Sequence, residues 1–304
     1  MIARAPRDNA FGDRLPLYRE RVNQRLARAF SSGDEIPGRL RAAMEYSVLG
    51  PGKRVRPLLA YASGELGGID AEAIDAIAAS VEFTHAYSLI HDDLPSMDDD
   101  DLRRGLPTTH RAFDEATAVL AGDALQALAF ETLSTDEKLA TRPAAAQLKI
   151  VGWLARAIGP AGMVGGQALD IEAEGKSVSE TALENIHRRK TGALIRASIM
   201  MPSELGDFSD EARVKLDAFA CDIGLVFQIR DDLLEVEEDT ATLGKNAGSD
   251  RANDKSTYPS VLGIIGARNR ADALYERATG TLESLGPGAE GLLWVSDFIL
   301  RRSC

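Results

Sequence analysis

The sequence predicts an all-α fold, with one domain of about twelve helices over residues 1–304. Three observations support this prediction. The sequence lacks the sustained period-two alternation that is typical of strands. Good helix formers, chiefly Ala, Leu, Glu and Arg, surround the scattered Val and Ile residues. Apolar residues recur with helical periodicity in segments of roughly 12 to 25 residues, and no linker or fixed-period repeat divides the chain.

Gly and Pro residues separate the predicted helices. In chain order, we predict helices over residues 13–30, 37–49, 56–66, 70–93, 111–133, 141–158, 161–174, 179–201, 209–236, 257–267, 270–285 and 289–302. Asp70 and Ser209 are predicted N-caps, because each precedes an apolar-periodic run by a residue or two. The breaks at 94–107 and 237–256 are polar and charged, and loops of that length inside a helical domain tend to be functional.

The composition excludes several classes of protein. Lys and Arg number 35 against 47 Asp and Glu, so the net charge is −12 at pH 7 and disfavours nucleic acid or an anionic membrane as a partner. Two cysteines, Cys221 and Cys304, provide neither a disulfide framework nor a zinc site. The sequence begins without an apolar signal segment and lacks an apolar stretch of about 18 residues. We therefore predict a cytoplasmic protein without membrane insertion.

The first of two acidic clusters, residues 91–101, contains six aspartates. It follows the apolar helix predicted over 70–93, at the negative end of the helix dipole, which is unfavourable for carboxylates. Pro95 ends that helix, so the chain can fold back and bring Asp98 near Asp92. These carboxylates repel one another unless cations lie among them, although a solvated acidic loop would also explain this segment alone.

The second acidic cluster spans residues 231–239. Asp231 and Glu235 share one helical face, with Gln228 one turn earlier. The preceding segment, 219–229, is apolar on all sides, which predicts that it is buried. Two acidic clusters at facing helix ends would form an oxygen-rich site for Mg²⁺, a cation that favours carboxylates and substrate phosphates.

Basic residues accompany both acidic clusters. They are Lys53, Arg56, Arg103, Arg104, Lys190, Lys245 and Lys255. Any one of them alone is more simply explained as a solvated surface charge. Basic side chains at a glycine turn before a helix, as at 52–57, form a ready phosphate site. Acids for a metal and bases for phosphate together indicate a metal–diphosphate ligand.

These motifs, in this order, resemble those of the trans-isoprenyl diphosphate synthases, and within that family the bacterial farnesyl diphosphate synthase (geranyltranstransferase) type. The two aspartate-rich motifs are matched by DDLPSMDDDDLRRG at 92–105 and DDLLE at 231–235, and the isopentenyl diphosphate motif by GKRVRP at 52–57. Further matches are GGQALD at 165–170, KT at 190–191, TLGK at 242–245 and KSTYP at 255–259. The resemblance implies a bundle of mostly antiparallel helices around a central active-site cavity, usually in a homodimer.

The resemblance also implies a role for each motif residue. Asp92 and Asp98 would ligate two Mg²⁺ ions on the allylic diphosphate and Asp231 a third, with Asp232 and Glu235 in or near that shell. The allylic diphosphate would be held by Arg103, Lys190 and Lys245, and that of isopentenyl diphosphate by Lys53, Arg56, His85 and Arg104, with Lys255 as a further substrate-binding residue. The catalytic residues would be Lys190, Thr191 and Gln228, with Gln167 at the reacting centre and Asp170 close by.

Some residues depart from the family pattern or have a structural explanation. Glu235 stands where the second motif usually has Asp, so Asp231 is the better-supported ligand. We interpret His91 as a structural histidine bonded to the backbone, and His110 and His187 in the same way. The basic C-terminus, Arg301-Arg302, would either help to close the diphosphate site or fray in solvent.

Tyr87, five residues before Asp92, bears on the length of the product. In the short-chain bacterial type an aromatic at this place forms the floor of the tail pocket, so the resemblance implies a fifteen-carbon product. On a helical wheel Tyr87 lies about 140° from Asp92, and the wheel alone favours Ser88.

The sequence therefore predicts a prenyltransferase. It would condense isopentenyl diphosphate with dimethylallyl and geranyl diphosphate to give farnesyl diphosphate, by Mg²⁺-assisted ionisation of the allylic diphosphate. A geranyl or geranylgeranyl diphosphate synthase of the same family is the nearest alternative, and a non-catalytic subunit of a heteromeric synthase is an alternative of another class. A terpene cyclase would not need the motif at 52–57, and a calcium buffer would show the spacing of an EF-hand.

Overall fold

The computed structural model describes residues 10–31, 35–237 and 255–301, and it confirms the all-α class. Its elements, in chain order, are α1 (Ala10–Arg28), α2 (Gly38–Val48), α3 (Val55–Leu66), α4 (Ala71–Asp92), β1 (Leu102–Arg103), β2 (Leu106–Pro107), α5 (Thr109–Ala112), α6 (Glu115–Thr135), α7 (Glu137–Ala140), α8 (Ala144–Ile158), α9 (Met163–Ala173), α10 (Glu180–His187), a π turn (Arg188–Gly192), α11 (Ala193–Ser203), α12 (Asp210–Glu237), α13 (Tyr258–Glu283), a 3₁₀ turn (Pro287–Ala289) and α14 (Glu290–Arg301).

Both predicted N-caps lie where a helix begins, but only one caps with its side chain. Ser209 Oγ accepts a hydrogen bond from Ala212 N at 3.1 Å, in the first turn of α12. Asp70 precedes α4, yet its side chain makes no cap hydrogen bond. Its backbone oxygen accepts from Ala73 N at 3.0 Å instead.

The break predicted at 94–107 contains an antiparallel hairpin that the sequence did not predict. Leu102 pairs with Pro107, and Arg103 pairs with Leu106. The two residues between the strands, Arg104 and Gly105, both have positive φ, as a tight hairpin turn requires. Strands of two residues are too short to produce a detectable alternation, which explains the error.

Four predicted helices differ from the structure in how the chain is divided. The segment predicted over 111–133 is divided between α5 and α6, and Asp114 caps α6 by accepting from Thr117 N at 2.7 Å. The segment predicted over 179–201 is interrupted by the π turn. The segments predicted over 257–267 and 270–285 form one helix, α13, which is kinked at Gly263, where φ is 72°.

The core explains the position of the two acidic clusters. Helix α4 is buried along most of its length and packs against α3 and α6, while α12 packs against α11 and α13. The segment 219–229 of α12 is largely buried, as its uniform apolarity predicted. Both acidic clusters therefore extend from core helices. Among the described helices, none combines the length and the hydropathy needed to cross a membrane.

Candidate active site

A cavity of about 1030 Å³ opens where α4 and α12 end. Most of the residues predicted for the site contribute to its lining: Lys53, Arg56, His85, Tyr87, Ser88, Asp92, Asp98, Arg103, Arg104, Gln167, Lys190, Thr191, Gln228 and Asp231. Asp232 and Glu235 line it as well. Lys245 and Arg302 lie outside the described residues. The structure thus brings together residues from α3, α4, α9, α12, the hairpin and the π turn.

The loop after α4 folds back in the way that the sequence predicted. Asp98 N donates a hydrogen bond to the backbone oxygen of Asp92 at 2.8 Å. Asp99 has a φ of 51°, in the left-handed region, and reverses the chain direction. The Asp98 carboxylate accepts from Lys255 Nζ at 2.5 Å.

The remaining aspartates of this cluster pair with arginines, Asp93 and Asp100 in the interior and Asp99 and Asp101 at the surface. Asp93, which is 3% exposed, accepts from Arg103 at 2.5 Å, and Asp100 accepts from the same guanidinium at 3.2 Å. Asp99 and Asp101 pair with Arg111 at 3.6 and 2.5 Å. Only Asp92 and Asp98 of the six therefore present their carboxylates to the large cavity.

Burial and charge crowding act together on Asp92. Burial raises the pKa of its carboxyl group, and the nearby Asp98 raises it further, while the Lys190 ammonium opposes both effects. Lys190 Nζ lies 2.6 Å from Asp170 Oδ2. Burial would lower the pKa of Lys190, but the Asp170 carboxylate raises it above its usual value. Lys190 therefore carries a permanent positive charge beside the first acidic loop.

A chain of hydrogen bonds links the π turn to the second acidic cluster. Thr191 Oγ1 donates to Gln228 Oε1 at 2.6 Å, and Gln228 Nε2 donates to Asp232 Oδ1 at 2.8 Å. Asp232 Oδ2 accepts from Tyr258 N at 2.9 Å. Asp232, only 3% exposed, thus fixes Gln228 and the start of α13 at the same time. Asp231 has its place in the lining of the cavity, one residue earlier.

The π turn that carries Lys190 and Thr191 lies between two glycines of neighbouring helices. A Cβ atom at Gly166 in α9 would come within 2.2 Å of Lys190 N. A Cβ atom at Gly224 in α12 would come within 3.0 Å of Gly192 Cα. Both helices consequently contact the turn backbone to backbone, which only glycine permits.

A group of basic residues lines the wall of the cavity between α3 and the hairpin. The Arg56 guanidinium lies 5.5 Å from the centroid of the Phe227 ring. Arg104 Nη1 donates to the backbone oxygen of Pro51 at 2.8 Å, and Arg104 Nη2 lies 3.5 Å from His85 Nε2. Burial lowers the pKa of His85 well below its usual value, and the Arg56 charge lowers it further. His85 is therefore neutral and can accept a hydrogen bond from Arg104.

Tyr87 and Ser88 both line the cavity, but they differ in what they present to it. The Tyr87 ring is 4% exposed and packs edge-on against His91, at 5.9 Å between ring centroids. Ser88 Oγ donates to the backbone oxygen of His85 at 2.9 Å. Tyr87 is therefore the bulky member of the pair.

The histidines fit the structural interpretation in different ways. His91 Nε2 lies 3.1 Å from the backbone oxygen of Val119, as predicted. His110 bonds a side chain instead, since its Nδ1 lies 3.2 Å from Thr108 Oγ1. His187 stacks on Tyr258, and neither of its ring nitrogens has a hydrogen-bond partner in the structure. The backbone bond predicted for His110 and His187 is therefore wrong: His110 bonds Thr108 instead, and His187 packs on the Tyr258 ring.

The residues at the cavity fit a hard divalent cation such as Mg²⁺. The candidate ligands Asp92, Asp98 and Asp231 offer only carboxylate oxygens, which is the donor type that Mg²⁺ prefers. A cation would relieve the crowding that raises the pKa of Asp92. Among the residues that the structure describes, no three His, Cys, Asp or Glu side chains form a ready metal cage. The Gln167 amide faces the same cavity, and its oxygen and nitrogen lack hydrogen-bond partners.

Sequence reasoning missed two buried residues in the lining of this cavity, Arg54 and Glu82. Arg54 Nη1 lies 2.7 Å from Glu82 Oε1, and both side chains are almost fully buried. The available signal was Glu82 itself, which is a lone acidic residue in the apolar middle of α4. Such a residue predicts a buried basic partner elsewhere in the chain.

Known proteins resemble this chain along most of its length. The polyprenyl synthetase family model matches residues 37–285. Farnesyl diphosphate synthase of Escherichia coli (strain K12) is 51% identical over 264 residues, which cover 86% of this chain and 88% of that protein. Farnesyl diphosphate synthase of Haemophilus influenzae is 44% identical over 294 residues, which cover 96% of this chain and 98% of that protein.

A solved structure resembles this fold just as extensively. It is the geranyltransferase of Helicobacter pylori, in complex with magnesium and isoprenyl diphosphate, with a TM-score of 0.80 and 33% sequence identity. The match covers 94% of this chain and 96% of that chain.

Proposed function

The chain belongs to the polyprenyl synthetase family, and we propose that it condenses isopentenyl diphosphate with dimethylallyl diphosphate and then geranyl diphosphate to give farnesyl diphosphate. The observation that carries this proposal is the composition of one cavity. Three carboxylates, Asp92, Asp98 and Asp231, share it with two separate groups of cations, so it has the charges for two diphosphates. Relatives at 51% and 44% identity are farnesyl diphosphate synthases, which supports the same activity here.

Asp92, Asp98 and Asp231 would hold Mg²⁺, about three ions with bound diphosphate. When bound, Mg²⁺ neutralises the charge that develops on a departing diphosphate. Lys190 and Arg103 add fixed positive charge on the same side, since Asp170 and Asp93 hold their side chains in place. Lys255 and Lys245 would complete this group, although Lys245 lies outside the described residues.

Lys53, Arg56, His85 and Arg104 would bind the diphosphate of isopentenyl diphosphate on the other wall. This separation orients the double bond of isopentenyl diphosphate towards the allylic carbon. Thr191, Gln228 and Gln167 line the same cavity and would face the reacting carbons. The allylic C–O bond breaks, a C–C bond forms, and a proton leaves isopentenyl diphosphate for the released diphosphate.

The apolar part of the cavity would hold the hydrocarbon tail and exclude water from the allylic cation. Its lining includes Leu94, Met97, Met163, Val164, Phe227 and Leu234. We propose that Tyr87 forms the floor and limits the product to fifteen carbons. A geranylgeranyl diphosphate synthase is a weaker candidate, because a bulky floor residue leaves less room for a longer tail.

We further propose a cytoplasmic homodimer. Two large apolar side chains on the outer surface support an association between copies, since Leu120 of α6 and Leu148 of α8 are 58% and 71% exposed. Light scattering on the purified protein tests the dimer, and a monomer at micromolar concentration would contradict it.

The proposed activity is tested by incubation with isopentenyl and dimethylallyl diphosphates, with and without Mg²⁺. We expect a metal-dependent product that co-elutes with farnesyl diphosphate in chromatography. A product of ten or twenty carbons would support the prenyltransferase activity but would contradict the proposed fifteen-carbon product. No prenyl product under any metal condition would favour a non-catalytic subunit.

A further inference from the structure

We infer that Arg54 and Glu82 form a buried pair that positions the residues for isopentenyl diphosphate without touching the substrate. The inference rests on the proposed function, and it concerns the loop 49–54 before α3. Lys53 lies in this loop, and Arg56 lies in the first turn of α3. Both line the large cavity and would bind the diphosphate. Arg54 stands between them in sequence and lies with Glu82 in the lining of the same cavity, but its guanidinium is bound by protein groups.

Hydrogen bonds to protein acceptors use four of the five N–H groups of the Arg54 guanidinium. Nη1 donates to Glu82 Oε1 at 2.7 Å, and Nε donates to Asn23 Oδ1 at 3.1 Å. Nη2 donates to the backbone oxygens of Val48 and Gly50, at 2.9 and 3.1 Å. Each of its three nitrogens therefore already bonds a protein acceptor, and Arg54 joins α1, the end of α2, the loop and α4.

The backbone at Arg54 is also unusual. Its φ is 54°, in the left-handed region that a side chain such as arginine rarely adopts. Surrounding contacts must hold such a conformation, because it is strained relative to ordinary backbone. The four hydrogen bonds of the guanidinium provide these contacts, and α3 begins at the next residue.

Glu82 anchors Arg54 to the buried part of α4. It is 3% exposed and is the sole acidic residue of α4 between Asp75 and Asp92. A buried carboxylate without a partner is strongly unfavourable, so the Arg54 charge is required where it lies. His85 follows Glu82 by one turn and bonds Arg104, which binds the Pro51 oxygen from the other side of the loop.

The loop is consequently held through its backbone by two arginines that α4 orients. Arg54 binds the oxygens of Val48 and Gly50, and Arg104 binds that of Pro51. Lys53 and Arg56 have long, flexible side chains whose reach depends on where this backbone lies. A displacement of the loop would weaken binding of isopentenyl diphosphate and leave the allylic group, on the other wall, in place.

Steady-state kinetics of four variants test this inference: Arg54→Met, Arg54→Lys, Glu82→Gln and the double variant Arg54→Met/Glu82→Gln. We expect each single variant to raise the KM for isopentenyl diphosphate about tenfold or more, because displacements near 1 Å already have large effects. The KM for geranyl diphosphate should stay within about twofold of wild type. The double variant should be no worse than the poorer single variant, since both remove the same unit.

Two of these variants separate positioning from direct contact. If the Arg54 guanidinium bound the diphosphate directly, Glu82→Gln would free the guanidinium for this contact. The KM for isopentenyl diphosphate would then stay unchanged or fall. That result, together with a raised KM in Arg54→Met, would overturn the inference. Arg54→Lys keeps the charge but cannot make four hydrogen bonds in a fixed plane, so a normal KM in this variant would also overturn it. If Arg54→Met does not fold, Arg54→Lys and Glu82→Gln still decide the question.

The control is Arg21→Met. Arg21 of α1 makes two hydrogen bonds, at 3.0 and 2.6 Å, to Asp75 of α4, the helix that carries Glu82. Arg21 does not line the cavity. We expect the KM of Arg21→Met for isopentenyl diphosphate to equal that of wild type. If this KM rose as much as in the Arg54 variants, general loosening of α4 would explain the effect, and the inference would be overturned.

Calorimetry of isopentenyl diphosphate binding, without allylic substrate, separates this inference from the proposed function. Weaker binding in the Arg54 variants supports the inference even if wild type forms no product, and unchanged binding overturns it.

Discussion

Lys255 Nζ lies 2.5 Å from Asp98 Oδ1 and joins segments that are 157 positions apart in the chain. The two side chains are 9% and 18% exposed, so the pair is well shielded from water. It connects the loop of the first acidic cluster to the segment that precedes α13. In the protein without metal, the ammonium group therefore supplies the positive charge that Asp98 requires.

Replacement of Lys255 by Met should destabilise the metal-free protein, because it leaves the shielded Asp98 carboxylate without its cation. We expect the free energy of unfolding in EDTA to fall by about 1–3 kcal/mol, as measured by urea denaturation. Lys138→Met is the control, since its partner Glu72 is exposed, and it should leave the free energy of unfolding nearly unchanged. Equal effects of the two variants would contradict the prediction.

Conversion of Asp92, Asp98 or Asp231 to Asn should lower kcat/KM by about a hundredfold or more, since each removes a charged ligand for the metal–diphosphate complex. Radiometric assays over a range of Mg²⁺ concentrations measure this loss. Asp101→Asn belongs to the same cluster but pairs with Arg111 outside the large cavity. Asp101→Asn should retain most of the activity. If its kcat/KM fell as much as in the other variants, the total charge of the loop, and not the position of each carboxylate, would determine activity.

Asp231 and Asp232 are adjacent, yet we expect their Asn variants to differ in stability. Asp232→Asn places an NH₂ group against a donor, either Gln228 Nε2 or Tyr258 N, and should lower the free energy of unfolding by about 1–3 kcal/mol. Asp231→Asn should change it by less than about 1 kcal/mol. Urea denaturation in EDTA measures both values. The reverse order would show that Asp231 has the structural role.

Shortening of Tyr87 to Ala should lengthen the product, because we propose that this bulky ring, which lines the cavity, forms its floor. Chromatography of the extracted prenyl alcohols should then show products beyond fifteen carbons. Ser88→Ala should leave the length unchanged, since the Ser88 hydroxyl bonds the His85 backbone. If Ser88→Ala lengthened the product and Tyr87→Ala did not, the helical wheel would have been the better guide.

His187 should make stability depend on pH below neutrality. Burial lowers its pKa from 6.5 to about 4 in the folded protein. As the pH falls below 6.5, the unfolded chain binds a proton at His187 that the folded protein does not bind until near pH 4. The free energy of unfolding therefore decreases over this window, by up to about 1.4 kcal/mol per pH unit.

Urea denaturation of wild type and His187→Asn between pH 7.5 and 4.5 isolates this contribution. The other titrating groups are common to both proteins, so the difference in slope belongs to His187. We expect a shallower slope in the variant. Parallel curves would show that His187 has an ordinary pKa in the folded protein.

Motif spacing was sufficient to predict which residues meet at the cavity, but not how they pair. Asp92 and Asp98 were predicted together because Pro95 ends α4 and lets the loop return, and the Asp98–Asp92 backbone bond agrees. The pairing of Asp93 with Arg103 depends on a hairpin whose strands are too short to predict. These contacts arise from tertiary geometry, which local periodicity does not encode.

The pair of Arg54 and Glu82 illustrates the same limit. A lone Glu in the apolar helix α4 predicts a basic partner, but the chain offers 35 Lys and Arg residues as candidates. The choice depends on a left-handed backbone at Arg54, a conformation for which arginine carries no sequence signal. Similarly, the π turn at Arg188–Gly192 lies inside a segment, 179–201, that the sequence predicted as one continuous helix.

Gly166 and Gly224 pack on the π turn, so the part of the cavity at this turn should tolerate fewer substitutions than the part at Tyr87. Lys190 is held by a backbone contact that a methyl group at Gly166 would disrupt, and a methyl group at Gly224 would crowd Gly192 at the end of the turn. The floor that we propose at Tyr87 would be made of a side chain, which can change size without moving these contacts. Directed evolution towards longer or shorter prenyl chains should therefore accumulate its changes on α4, while positions 166 and 224 remain glycine.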